Sequence, residues 1–96
     1  MSRYVLSPRA QADLDEIWNY TAEHWNEEQA DRYILEIRRA IEIVARDSRR
    51  GRSCDQIRPG YRQYLAGSHI LFFRTVAGEI DIVRILNQSM DFERHL

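Results

Sequence analysis

The chain has 96 residues, 44% of them hydrophobic and 30% charged, which fits one packed core and excludes intrinsic disorder. Fourteen basic residues against fifteen acidic ones leave a net charge of −1, which argues against a chain built chiefly to neutralise a phosphate backbone. With no apolar run of about 18 residues, and with Met1-Ser2-Arg3-Tyr4 lacking the apolar stretch of a secretion signal, residues 1–96 are expected to form a single domain in the cytoplasm.

Tyr4-Val5-Leu6 is a short β-prone run, and Ser7-Pro8 places a capping side chain before proline at the first helical position. Ala10, Leu14, Ile17, Trp18, Thr21 and Trp25 then recur at helical spacing and predict an amphipathic helix with the two tryptophans as core candidates. Asn26-Glu27-Glu28 has the composition of a second helix start, so the connection is very short and the two helices form an antiparallel hairpin. The second helix carries Ala30, Tyr33, Ile34, Ile37, Ile41 and Val44 on one stripe and is expected to end near Arg46 to Ser48. Residues 49–56 have no apolar period and Pro59-Gly60 adds a turn signal, which makes this region the one substantial loop. Three strand-like runs follow, 61–65, 69–76 and 79–86, joined by short glycine turns into an antiparallel meander. Ile70-Leu71-Phe72-Phe73 is apolar on both faces and belongs at the centre of the sheet, whereas Tyr61-Arg62-Gln63-Tyr64 fits an edge. The fold class is therefore α+β.

All fourteen basic residues are arginine, which removes lysine nucleophiles and Schiff bases from consideration. The single Cys54 suits a reducing compartment. His24, His69 and His95 fall in no metal-ligand spacing, and the four glycines form no phosphate cradle, so neither a metal nor a nucleotide cofactor is expected. Asp13, Asp15 and Glu16 read as solvating charge on an exposed helical face. Charge is unevenly spread, net −4 over residues 1–48 and +3 over residues 49–96. Arg46, Arg49, Arg50 and Arg52 read as a solvated helix terminus, and Arg74 and Arg84 as either a cationic sheet face or partners of Asp81, Asp91 or helix carboxylates.

The segments Leu6-Ser7-Pro8-Arg9-Ala10, Asp13-Leu14-Asp15-Glu16-Ile17-Trp18, Ile57-Arg58-Pro59-Gly60-Tyr61-Arg62, Gly67-Ser68-His69 with Phe72-Phe73-Arg74, and Val83 to Asp91 occur in an order and spacing that resembles the RelE/ParE superfamily of bacterial toxins, and its ParE-like branch in particular. The resemblance spans nearly the whole chain. It implies an N-terminal strand, an αα-hairpin and a three-stranded meander, with the helices packed on one sheet face. It also implies the toxin component of a type II toxin-antitoxin system, a binding protein rather than an enzyme, that inhibits DNA gyrase and blocks replication without a cofactor. Neutralisation falls to a ParD-like antitoxin in a hetero-oligomer of 2:2 or larger, operator DNA is reached only through that antitoxin, and neither membrane nor small-molecule ligand is implied. Candidates for the toxic surface are Arg58, Arg62, Arg74, Arg84, Asn87, Met90, Asp91 and Arg94. Candidates for antitoxin contact are Trp18, Trp25, Tyr33, Ile37, Arg62 and Tyr64. The alternatives are a RelE-like ribosome-dependent mRNA endonuclease and a non-toxic antitoxin partner or corepressor. Asn87, standing where ParE relatives often carry His, and the absence of Tyr after Arg84 disfavour the endonuclease, because an amide is no ordinary general acid or base.

Overall fold

The computed structural model describes residues 3–96, so the reading of Met1 and Ser2 as the start of an N-terminus without an apolar leader lies outside the described residues. Tyr4–Leu6 forms β1, and Pro8–His24 forms α1. Ser7 joins them: its Oγ accepts the Ala10 N–H at 3.0 Å and donates to the Val83 carbonyl at 2.7 Å. Two residues later Glu27–Arg46 begins α2, with Asn26 Oδ1 accepting the Gln29 N–H at 2.7 Å as its cap. So short a connection folds the helices antiparallel, and Trp18 Nε1 donates across the pair to Asp31 at 2.9 Å.

The remaining elements are a 3₁₀ turn at Ser48–Arg50, β2 at Arg52–Ser53, β3 at Arg62–Ala66, β4 at His69–Val76, β5 at Glu79–Asn87 and α3 at Phe92–His95. They complete a five-stranded sheet of order β1-β5-β4-β3-β2, antiparallel except where β1 runs parallel to β5. The α+β architecture and the central place of β4 follow the expectation. Two details differ. The region expected to be pure loop contains β2, which pairs Arg52 with Gln63 and Ser53 with Arg62, so β3 is one strand in from the edge. A two-residue strand with both side chains exposed leaves no apolar alternation to read. The β4–β5 turn at Ala77-Gly78 has positive φ at both positions, the backbone hand that matches strand twist in a two-residue hairpin.

Both faces of the sheet are covered, by unequal layers. On one face Leu14 and Ile17 of α1 and Ile37, Ile41 and Val44 of α2 pack on Leu71, Phe73, Ile82 and Ile85. On the other, Phe72 and Leu86 form a smaller core with Cys54, closed by Ile57 and Tyr61 of the loop and by Phe92 and Leu96 of the tail. The alternation of the strands explains the division, Phe72 and Phe73 pointing to opposite faces at a register shift against β5.

Candidate functional site

β1 stops at Leu6, opposite Ile82, while β5 continues five residues further. Beyond that point the edge of β5 has no strand beside it, and its inward polar groups need other partners. Ser7 Oγ donates to the Val83 carbonyl, and Asp13 Oδ2 accepts the Ile85 N–H at 2.9 Å. The same carboxylate takes two bonds from Arg84, Nε to Oδ2 and Nη2 to Oδ1, each 2.8 Å. The third guanidinium nitrogen, Nη1, donates to the His95 carbonyl at 3.0 Å. One arginine thus ties α1, β5 and α3 together. Asp13 is 7% exposed, and the Arg84 side chain 12%. The hydrogen bond that Arg84 donates to Asp13 raises the Arg84 pKa further above its ordinary value, against the opposing effect of burial.

This junction corrects one expectation and decides between two others. Asp13 is a buried ion-pair partner rather than solvating charge, because β1 is too short to cover β5 and α1 supplies the missing acceptor. Of the two readings of Arg84, a cationic sheet face or a partner of a helix carboxylate, the structure has the second.

Beside the junction lies a groove of about 490 Å³. Its walls are Glu16 and Tyr20 of α1, Trp25 just after that helix, Tyr33 of α2, His69 of β4 and Met90 after β5. Trp25 is 74% exposed and Tyr20 62%, so Trp25 is no core residue. Tyr20 stacks on His24 with centroids 3.9 Å apart, and the His24 Nδ1–H donates to the Tyr20 carbonyl at 2.8 Å. At the opposite end the Tyr33 hydroxyl accepts the Ser68 N–H at 3.0 Å and lies 2.6 Å from His69 Nδ1. Burial lowers the His69 pKa, with the charge of Asp13 opposing the shift, which favours the neutral ring beside the Tyr33 hydroxyl. Gly67 makes this contact possible: it has φ +62°, and a Cβ there would sit 2.6 Å from Tyr33 Cε1.

The predicted site residues are not gathered into one surface. Of the toxic candidates, Arg84, Asn87 and Met90 line the groove. Arg58 donates to the Leu96 carbonyl and Arg62 to the Gly51 carbonyl, the latter at 2.8 Å. Arg74 is held by Asp81 at 3.0 Å and lies over the Tyr61 ring, while Asp91 and Arg94 are exposed around α3. Each of these four arginines, Arg58 in the loop and Arg62, Arg74 and Arg84 in the sheet, therefore already has a partner within the chain. Of the antitoxin candidates, Trp25 and Tyr33 line the groove, Trp18 bridges the hairpin, and Arg62 and Tyr64 lie outside it. Ile37 is fully buried in the core and offers no surface to a partner. Sequence reasoning missed Glu16, Tyr20, Gln29, Ser68 and His69 as groove residues. A large aromatic at Tyr20, off the apolar stripe of α1, is the one available signal; Glu16 lies one turn before it on the same helix, and Gln29, Ser68 and His69 are brought in by separate elements. Among the described residues no three His, Cys, Asp or Glu side chains meet to hold a metal ion, and no helix is long and apolar enough to cross a membrane.

The whole chain has close counterparts. A family model described as the ParE toxin of type II toxin-antitoxin system, parDE, matches residues 4–92. Toxin ParE1 of Mycobacterium tuberculosis is 54% identical over 96 residues, spanning 99% of this chain and 98% of the relative. Toxin ParE1 of Caulobacter vibrioides is 43% identical over 96 residues, spanning 100% and 99%. In a solved structure of the chromosomal ParDE TA system from P. aeruginosa, one chain shares the fold with a TM-score of 0.80 at 24% identity, over 91% of this chain and 96% of that one. With its strand, helical hairpin and meander built as described and matched from Tyr4 to Phe92, the chain belongs to the ParE toxin family of type II toxin-antitoxin systems.

Proposed function

We propose that residues 1–96 act as one cytoplasmic domain that binds DNA gyrase, stabilises its cleaved-DNA intermediate and so blocks replication, and that a ParD-like antitoxin silences it. The observation that carries this reading is the match of residues 4–92 to the ParE toxin family. It is a binding activity rather than an enzymatic one: Asn87 cannot shuttle a proton, and the His69 Nδ1 in the groove is already engaged by Tyr33. The groove supports the antitoxin half of the proposal. Its apolar wall of Tyr20, Trp25 and Met90, next to polar groups at Tyr33 and Gln29, has the make-up that receives an amphipathic helix. In this reading the ParD-like segment folds onto the hairpin in a complex of 2:2 or larger that reaches operator DNA through the antitoxin, and the tail from Asn87 to Leu96 belongs to the toxic surface.

The test is incubation of antitoxin-free protein with gyrase, ATP and plasmid, followed by detergent and protease treatment. Linear DNA that rises with dose and disappears on addition of antitoxin is the expected result. Folded protein that leaves the plasmid unchanged overturns the gyrase assignment. Cleavage of mRNA on translating ribosomes then identifies the endonuclease alternative, and harmless overexpression with tight antitoxin binding the non-toxic partner.

A further inference from the structure

Six of the fourteen arginines fall between residues 38 and 52: Arg38, Arg39, Arg46, Arg49, Arg50 and Arg52. All six are exposed. The stretch contains only two acids, Glu42 and Asp47, and Asp47 is taken up by Arg49 at 3.0 Å. Among the described residues outside the stretch, six of the eight other arginines hold a carboxylate or a backbone carbonyl; within it Arg49 holds Asp47, and Glu42 shares the helix face of Arg38 and Arg46. Helical geometry gathers three of the six. At about 100° per residue, Arg38, Arg39 and Arg46 fall within an arc of roughly 100°, along about 12 Å of α2, opposite the buried stripe of Ile37, Ala40, Ile41 and Val44. Arg50 follows in the 3₁₀ turn directly after α2, and Arg52 in the edge strand β2, both exposed. A solvated helix terminus explains Arg46, since the dipole acts within the last turn; it does not explain Arg38 and Arg39 two turns earlier, or the residues beyond the helix.

The ridge carries no anchor for a protein partner. None of the exposed large hydrophobic side chains lies between residues 38 and 52, whereas protein interfaces centre on buried aromatic or aliphatic anchors. The stretch also has no aromatic residue on which unpaired bases would stack, as single-stranded nucleic acid requires. What remains is a row of guanidinium forks, suited to repeated phosphates on a stiff backbone. We propose that the Arg38–Arg52 ridge is a sequence-independent contact for the phosphate backbone of duplex DNA, made by this chain directly and in addition to any contact its antitoxin makes. The ridge is separate from the groove, and the proposal stands or falls independently of the gyrase reading.

The experiment is fluorescence anisotropy of the full 96-residue chain with a 20-base-pair duplex of arbitrary sequence, titrated across a salt series. The expected result is binding at about 50 mM salt that weakens linearly on a log–log plot, losing about 0.9 of slope for each phosphate contact removed. Arg46→Gln/Arg50→Gln should then bind about tenfold more weakly at low salt, with a slope shallower by about 2, while Arg9→Gln keeps the parent behaviour. Circular dichroism reports whether each variant is folded, and because the side chains replaced are exposed, all are expected to be. Absence of binding at low salt, or a double variant with the parent slope, overturns the proposal. Tighter binding of an equal-length single strand overturns the duplex assignment, and displacement by polyglutamate as effective as by unlabelled duplex overturns the phosphate assignment.

Discussion

Replacing Asp13 by Asn tests whether the Asp13–Arg84 junction holds the sheet edge and the tail. The amide keeps one oxygen for three donors, the Ile85 N–H and two guanidinium nitrogens, and turns its own NH₂ toward groups that only donate. Arg84 is left charged and unpaired while nearly buried, a situation that costs about 3–5 kcal/mol. Against a total stability of about 5–15 kcal/mol that is a large share. In urea denaturation followed by far-ultraviolet circular dichroism, a slope of about 1.5 kcal/mol/M converts the loss into a midpoint lower by roughly 2–3 M. The comparison is Arg74→Gln, which breaks an exposed pair with Asp81 and should cost no more than about 1 kcal/mol. A double replacement, Asp13→Leu with Arg84→Met, isolates the pair: it should cost less than the two single changes summed by about 2 kcal/mol, the residual loss coming from the orphaned Ile85 N–H. If Asp13→Asn costs under about 1 kcal/mol, or the two sites prove additive, the junction is not what holds these elements together.

Trp25→Ala should leave stability within about 0.5 kcal/mol, because the side chain is largely exposed, yet weaken binding of a ParD-like antitoxin about tenfold or more by calorimetry; an unchanged Kd removes Trp25 from the interface. Stability should fall as pH drops below 6.5, the ordinary His69 value: burial holds the folded pKa lower, so between the two values the unfolded chain binds more protons, and below both this contribution levels off. His69→Gln should remove that component from urea midpoints measured across the window, and an identical pH profile in the variant refutes the assignment. Gly67→Ala forces an L side chain into φ +62° and into the Tyr33 ring, with about 1–2 kcal/mol from the backbone alone before Tyr33 has to move; a thermally unperturbed variant would show that the turn relaxes freely.

Local pattern carried most of the architecture. Ser7-Pro8 and Asn26 start helices where they were expected to, and the doubly apolar Ile70–Phe73 run lies in the middle of the sheet. What pattern did not carry is pairing between distant residues. Asp13 and Arg84 are separated by 71 positions, and the polar neighbours of Asp13 on α1 made it indistinguishable from surface charge. Trp25 repeats the problem with the opposite sign: its spacing fits the apolar stripe, but it falls just past the end of α1, beyond the reach of the sheet, and stays in solvent. Periodicity assigns a residue to a face of its helix; whether the sheet extends beneath that face is decided by the length of strands elsewhere.

That length is also what makes the site. Were β1 to run on beside β5, strand hydrogen bonds would satisfy Val83 and Ile85, and neither Ser7 nor Asp13 would be needed at the edge. Because it ends at Leu6, α1 comes down onto β5 through a buried charge, and the groove opens beside that contact. The counter-charge has a spare nitrogen, and it goes to the His95 carbonyl of the tail, whose Phe92 lies 4.9 Å from Phe72, centroid to centroid, over the second core. A bond at the groove wall and a bond to the tail therefore share one rigid guanidinium, which cannot rotate to improve one without straining the other. In the proposed reading this is where antitoxin seated against α1 and the tail of the toxic surface meet, so changes at Asp13 should alter both antitoxin affinity and growth inhibition, while changes at Trp25 should alter affinity alone.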